Sequence, residues 1–113
     1  MVKRVRTVPQ VSDDHASELA EMFRLMGDPS RLRIILLCLQ APIRVGEIAE
    51  RLGLSASLVS HHLRLLRAAR VLKARRQGKQ IFYAAADEHI SCVIADMAEH
   101  ISEPNGHDVD DQD

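Results

Sequence analysis

Apolar residues recur along this chain with two different spacings, and the changes in spacing predict where helices give way to strands. Between positions 12 and 69 they recur every three to four residues, as in α-helices that bury one face. Between positions 71 and 84 they alternate, as in β-strands. Beyond position 87 the helical spacing returns. The pattern predicts a mainly α chain with a small β-hairpin, in the order α-α-α-α-β-β-α.

Capping residues predict the limits of the first two helices. Ser12 to Asp14 can cap the first helix, and Gly27 ends it. Asp28-Pro29 pairs an N-cap with a proline at the first helical position, which predicts a second helix over Ser30 to Gln40. That helix is apolar almost all round, so we expect it at the buried centre.

The next two helices form a helix-turn-helix pattern. Val45 to Leu52 is followed by a turn at Gly53-Leu54-Ser55, and Ser55 or Ser57 caps a helix that runs to about Ala69. One side of this helix is apolar, through Leu58, Val59, Leu63, Leu65 and Leu66. The other side suits base edges and phosphates in a major groove, through Ser57, Ser60, His61, Arg64 and Arg67. His62 points toward the apolar side, which indicates a structural role.

The hairpin that follows has a basic tip. Val71 to Arg76 and Gln80 to Ala84 flank a turn at Gln77-Gly78-Lys79. The residues suited to the DNA backbone or minor groove are Arg75, Arg76, Gln77 and Lys79. A helix-turn-helix followed by such a hairpin is a winged helix, which is the fold that we predict.

Charge is unevenly distributed, although the chain's net charge is only −1. Residues 29–83 contain 11 Lys and Arg against two acids, a net +9. Residues 84–113 contain nine acids and neither Lys nor Arg, a net −9. The basic middle favours a polyanion partner, which with the helix-turn-helix pattern means a double-stranded DNA operator.

The last helix carries metal-ligand residue types on one face. His89 and His100 fall on nearly the same stripe but about 16 Å apart, with Glu103 one turn beyond and Asp87 at the N-cap. One metal ion cannot span that distance within one chain, because its ligand bonds are only about 2.0–2.2 Å long. An antiparallel second copy would place Asp87 and His89 beside the partner's His100 and Glu103. We therefore predict a homodimer with two symmetry-related metal sites.

An apolar seam beside that stripe would pair the two helices: Ile90, Val93, Ile94, Met97 and Ile101. Two imidazoles and two carboxylates favour Zn²⁺, with Co²⁺ as a second candidate. Ni²⁺ is less favoured because it needs more ligands, and His107 is the only spare one. The competing interpretation is a solvated helix that Asp87 merely caps, with incidental histidines.

The residues GDPSRLRIILLCL and VGEIAERLGLSASLVSHHLRLLRAARVLKARRQGKQIFYAA resemble the ArsR–SmtB family of winged-helix, metal-sensing bacterial repressors. The resemblance covers roughly residues 16–104. It implies a cytoplasmic homodimer, joined through its first and last helices, that binds an imperfect inverted repeat and is released by an inducer. Asp87-x-His89, ten residues, then His100-x-x-Glu103 matches the family's last-helix zinc site. The stretch Arg44 to Glu47 lacks the paired cysteines of its thiolate site.

The two cysteines allow a second class of inducer, one that reacts with thiols. Some relatives sense sulfur species or oxidants through a disulfide between the second and last helices. Cys92 lies near the start of the last helix rather than its end, and Cys38 lies in an apolar helix, so we expect buried, inert thiols. A same-fold repressor without a metal inducer and a plain dimeric adaptor are further alternatives. An enzyme is not predicted, because no general base stands at motif spacing.

The chain divides into a flexible basic arm (1–12), the DNA-binding and dimerisation domain (13–104) and a disordered acidic tail (105–113). The longest apolar run, Ile34 to Leu39, is too short to span a bilayer. With no secretion signal and no CxxC, the sequence favours a reducing cytoplasm.

Overall fold

A computed structural model describes residues 7–104. Its elements follow the predicted order: α1 (Asp13–Met26), α2 (Pro29–Gln40), α3 (Val45–Leu52), α4 (Ala56–Ala68), β1 (Leu72–Gln77), β2 (Gln80–Ala85) and α5 (Glu88–Ser102). The fold class, a winged helix-turn-helix with a small antiparallel hairpin, is confirmed. The proposed acidic tail, its His107 and residues 1–6 of the basic arm lie outside the described residues. None of the helices within residues 7–104 has the length and apolar character needed to cross a membrane.

Side-chain caps fix the starts of four helices, and two glycines in the left-handed conformation allow the sharp turns of the helix-turn-helix and the hairpin. Four helices begin with a side chain that accepts a backbone N–H, at Ser12, Asp28, Ser55 and Asp87. Gly53 ends α3 with φ +67°, and Gly78 has φ +63° in the hairpin turn. These angles are costly for residues with a Cβ, so the sharp turns depend on glycine at both positions.

The core lies where α2, α3, α4 and the start of the hairpin meet. Its fully buried side chains are Ile34, Ile35, Ile48, Val59, Leu63, Leu66, Val71 and Leu72. Ile43 adds a short bridge, exchanging two backbone hydrogen bonds with Tyr83 at 3.1 and 2.8 Å. This bridge ties β2 to the segment between α2 and α3, so the wing is held from both sides. The sequence did not predict this bridge, because a bridge at a single residue produces no periodic pattern of apolar positions.

Burial corrects three expectations. Leu36 and Leu58 are 39% and 41% exposed, so α2 is not buried all round and the apolar side of α4 begins at Val59. On α5, Ile90 is buried and Ile94 packs against the core, because the first turns of α5 lie on the domain itself. The predicted apolar seam is therefore divided between residues that pack on the chain's own domain and residues that stay exposed. Only part of it is left for a partner, namely Val93, Met97 and Ile101.

Candidate DNA-reading and metal-binding surfaces

The outer face of α4 is polar, exposed and fixed at its N-terminus. Ser55 accepts the backbone N–H of Leu58 at 3.1 Å, a cap whose loss costs about 1 kcal/mol. Beyond the cap, Ser60 is half-buried. The other residues predicted to contact DNA are exposed, namely Ser57, His61, Arg64 and Arg67. The helix thus presents hydroxyl, imidazole and guanidinium groups on one surface.

His62 lies on the opposite side of the same helix, as its position in the sequence indicates. It is 7% exposed, and its Nδ1 atom has no hydrogen-bond partner within residues 7–104. Burial lowers the pKa of His62, and the neighbouring Arg31 and His61 lower it further, whereas Asp28 opposes them. The domain therefore favours the neutral form of His62, whose ring centroid lies 6.0 Å from that of the exposed His61.

The wing carries its charges at the tip. Antiparallel pairing sets Arg75 opposite Phe82, Arg76 opposite Ile81 and Gln77 opposite Gln80, which leaves Gly78-Lys79 as a two-residue turn. All four residues predicted to contact DNA from the wing are exposed: Arg75, Arg76, Gln77 and Lys79.

At the start of α5 the structure brings two predicted metal ligands together. His89 Nδ1 lies 3.6 Å from Asp87 Oδ1, and both side chains are more than half exposed. The same Asp87 oxygen accepts the backbone N–H of Ile90 at 3.3 Å. That hydrogen bond, with a smaller contribution from His89, holds the pKa of Asp87 below its usual value. The carboxylate is therefore in the ionised form that a metal requires.

The other two predicted ligands lie at the far end of the helix. His100 is exposed in the last turn, and Glu103 is the exposed C-cap residue. His100 is eleven positions beyond His89 along the helix, a rise of about 16 Å. Within residues 7–104 no three His, Cys, Asp or Glu side chains converge as a metal site. One chain therefore holds the four candidates as two separated pairs.

Apolar side chains remain exposed on the two helices through which the resemblance implies dimerisation. On α1, Leu19 is 43% and Phe23 53% exposed. On α5, the exposed fraction rises from 42% at Val93 to 56% at Met97 and 79% at Ile101. Large apolar groups repeated along exposed helix faces mark an interaction surface more often than scattered single residues do.

The two cysteines differ. Cys38 is 2% exposed, so the expectation that it is buried is confirmed, and burial raises the pKa of its thiol to about 12, which disfavours the reactive thiolate. Cys92 is exposed, so the expectation that it is buried was wrong. Helical periodicity placed it near apolar neighbours but could not show which side of α5 the domain covers.

Two cations near the candidate metal ligands were missed. Arg70 and Lys73 line a single cavity of about 590 Å³ together with Arg67, Asp87 and His89. Arg70, which has φ +62°, forms a 2.9 Å ion pair with Glu18 of α1. The basic residues are evident in the sequence, but their proximity to α5 depends on tertiary packing.

Comparison with known proteins agrees with this fold. The model of the arsR family of bacterial regulatory proteins matches residues 28–74. The Synechocystis sp. transcriptional repressor SmtB homolog is 38% identical over 104 residues, which are 90% of this chain and 79% of that protein. The regulator KmtR of Mycobacterium tuberculosis is 36% identical over 91 residues, covering 78% of this chain and 70% of KmtR. The crystal structure of M. tuberculosis Rv0081 superposes with a TM-score of 0.72 at 32% identity, over 80% and 92% of the two chains.

The winged helix, its exposed cationic α4 and these relatives define a DNA-binding transcriptional regulator rather than an enzyme. The chain belongs to the ArsR–SmtB family of bacterial regulatory proteins.

Proposed function

We propose that this chain is a metal-responsive cytoplasmic repressor, which binds an inverted-repeat operator as a homodimer and leaves it when metal binds across the two α5 helices. The observation that carries the proposal is the division of four exposed ligand side chains between the two ends of α5. Asp87 and His89 lie 3.6 Å apart at one end, and His100 and Glu103 lie at the other. Two antiparallel copies would bring each pair beside the complementary pair of the partner and so form two four-ligand metal sites, which we call cages.

The exposed apolar residues support that pairing. Val93, Met97 and Ile101 follow one face of α5, and Phe23 extends the apolar surface on α1. Burying them against a second copy would remove them from water, at about 25 cal/mol for each Å² buried. A homodimer also matches an inverted repeat, because a two-fold axis presents two identical reading helices.

DNA binding is assigned to α4 and the wing. Arg64, Arg67 and the three wing cations supply phosphate contacts, which make the affinity fall as salt rises. Ser57, Ser60 and His61 lie where the N-terminal half of a recognition helix meets base edges. The buried His62 contributes to packing instead.

The donor set fits Zn²⁺. Two imidazole nitrogens and two carboxylate oxygens form a four-ligand set without sulfur, which suits Zn²⁺ and also Co²⁺. A bound ion would supply strong, directional bonds between groups of different chains. The chain's own part is to present Asp87 as a carboxylate and to set His89 beside it before the partner arrives.

Both cages would lie at the dimer interface, which sets the spacing between the two α4 recognition helices. Metal would therefore favour a dimer geometry that fits the operator less well, and DNA must weaken metal binding by the same factor. A 100-fold loss of DNA affinity corresponds to about 2.7 kcal/mol of coupling.

Sulfur or redox sensing through both cysteines is the second candidate. The exposure of Cys92 favours it, but Cys38 is buried with a raised pKa, which disfavours attack by a thiolate. Cys38→Ala and Cys92→Ser test it: release of DNA by an oxidant or a persulfide that is unchanged in both variants excludes this mechanism, and loss of that release supports it.

Mixed dimers test the metal proposal. Neither the His89→Ala dimer nor the His100→Ala dimer retains a complete cage. A mixed dimer contains one cage that lacks both histidines and one that is intact. Random re-assortment of equal amounts should thus restore about one tight Zn²⁺ site per four chains, measured by calorimetry. If both variants bind normally, or the mixture restores nothing, the cages are not shared in this way.

Operator binding completes the test. Wild-type protein should bind its operator with chelator present and be released by Zn²⁺, whereas the His89→Ala variant should stay bound. Unchanged wild-type affinity on adding metal would overturn the proposed switch.

A further inference from the structure

The cavity beside the start of α5 is a concentrated cationic surface. Arg67, Arg70 and Lys73 converge on it from the end of α4 and the start of β1. Arg70 is paired with Glu18, whereas Arg67 and Lys73 form no ion pair within residues 7–104. Arg67 also lines the neighbouring concave surface with Ser60 and Arg64, on the reading face of α4. An anion in the cavity would therefore share Arg67 with bound DNA.

The chain contains a segment of the complementary charge. Residues 105–113 include four aspartates and neither Lys nor Arg. The segment begins two residues beyond Glu103, and sixteen residues of helical rise separate Glu103 from Asp87, which is about 24 Å. Within one chain it therefore starts far from the cationic cavity.

In the antiparallel dimer the distance changes. The end of each α5 then lies beside the partner's Asp87, which together with His89 lines the partner's cavity. Nine residues can extend about 30 Å, so the segment reaches all three cations from there. Its short connection to the dimer also gives it a high effective concentration at that surface.

We propose that the acidic segment 105–113 of one protomer docks in the cavity formed by Arg67, Arg70 and Lys73 of its partner and competes there with DNA phosphates. The inference rests on the antiparallel dimer of the proposed function. The segment then acts as an internal competitor that lowers operator affinity.

The first experiment measures operator affinity with chelator present. Full-length protein is compared with a chain ending at Pro104 and with a chain in which all four aspartates of the segment are asparagine. Both variants should bind about three- to tenfold more tightly at 0.1 M salt, with a smaller gain at higher salt. An unchanged affinity would overturn the inference.

General repulsion between aspartates and DNA would also give a gain, so the measurement is repeated in altered backgrounds. With Arg70→Gln and Lys73→Gln the gain should disappear, because the docking surface is gone. In the matched control, Arg24→Gln with Arg51→Gln, it should persist, since these arginines are already paired with Glu21 and Glu47 elsewhere. A gain that persists in both backgrounds shows simple repulsion and overturns docking.

A cross-link tests the trans geometry directly while keeping every charge. Ala74 lines the cavity and Gln112 lies in the segment, so both are changed to cysteine in a chain carrying Cys38→Ala and Cys92→Ser. Oxidation should give a covalent dimer from the double variant and not from either single variant. An intrachain disulfide, or no cross-link, overturns the inference.

These outcomes separate the two proposals. If the protein binds DNA and responds to metal but shows neither the gain nor the cross-link, the proposed function stands without the internal competitor. If it stays monomeric, both proposals fail together.

Discussion

The Asp87 carboxylate oxygen that lies 3.6 Å from His89 Nδ1 also accepts the backbone N–H of Ile90. One atom thus fixes the first turn of α5 and forms part of the candidate metal site. The restraint is useful for binding, because a ligand that is already positioned loses less conformational entropy when the metal arrives. Capping and ligation can also be separated by substitution.

Asp87→Asn should separate the two roles. Asparagine caps a helix about as well as aspartate, so the variant should unfold within a degree or two of wild type. It lacks the anionic oxygen, so Zn²⁺ affinity should fall at least tenfold in calorimetry. Asp87→Ala should lose affinity and also lower Tm, by about 4–8 °C. Equal Zn²⁺ affinity in wild type and Asp87→Asn would favour the interpretation that Asp87 only caps.

Wing cations should determine part of the salt dependence of operator binding. Replacing Arg75, Arg76 and Lys79 by glutamine should reduce the slope of log affinity against log salt by about one for each phosphate that is no longer neutralised. Arg24→Gln is the control, since Arg24 is paired with Glu21 on α1. A slope that the triple variant shares with wild type would place the wing away from DNA.

The exposed residues of α5 should hold the dimer together. Met97→Lys, at a position 56% exposed in one chain, should shift sedimentation toward monomer and abolish high-affinity Zn²⁺ binding. Val8→Lys is the control, because Val8 is 82% exposed and precedes α1. If the Met97→Lys variant remained dimeric, the exposed apolar face of α5 would not be the dimer interface.

His62 should make stability depend on pH. Its pKa in the folded chain is below the ordinary value of 6.5, so the unfolded chain binds the proton more readily. The free energy of unfolding should therefore be highest above pH 6.5 and should fall as the pH drops below it, by at most about 1.4 kcal/mol per pH unit.

Denaturant titrations from pH 7.5 to 5.0 measure that slope. His62→Leu should flatten it, whereas His15→Gln, on the exposed surface of α1, should leave it as in wild type, because His15 does not influence the pKa of His62. If the two variants gave the same pH profile, the buried imidazole would not be its source.

Local signals were sufficient to predict most of the fold. The caps at Ser12 and Asp28 and the glycine turns depend on neighbouring residues alone, and the predicted element limits agree with the structure to within one or two positions. Exposure could not be predicted in the same way. Ile90 and Met97 both belong to one apolar seam, yet the domain covers the first and leaves the second open, because only tertiary packing decides where α5 leaves the core.

The candidate metal site and its surroundings could likewise be predicted only in part from the sequence. Residue types and spacing singled out Asp87, His89, His100 and Glu103, since helical geometry relates them along one element. The cavity cations Arg70 and Lys73 were not singled out, because Arg70 lies between α4 and β1 and Lys73 lies in β1, so only tertiary packing brings them near α5. Neither sequence nor a single chain contains the partner, so the assembly of the cages stays a prediction.

The attachment of α5 gives the molecule a mechanical property. Ile90 in the first turn is buried, whereas Met97 and Ile101 near the end are exposed, so only the start of the helix is fixed to the domain. A rotation of about 10° there would move His100 by roughly 3 Å, because some fifteen ångströms of helix lie between them. Metal–ligand distances in well-formed sites lie within about 0.2 Å of their usual values. In the proposed dimer, a small change in the angle between the two protomers would therefore be magnified at the metal site, so metal affinity would depend strongly on the relative orientation of the two α4 helices.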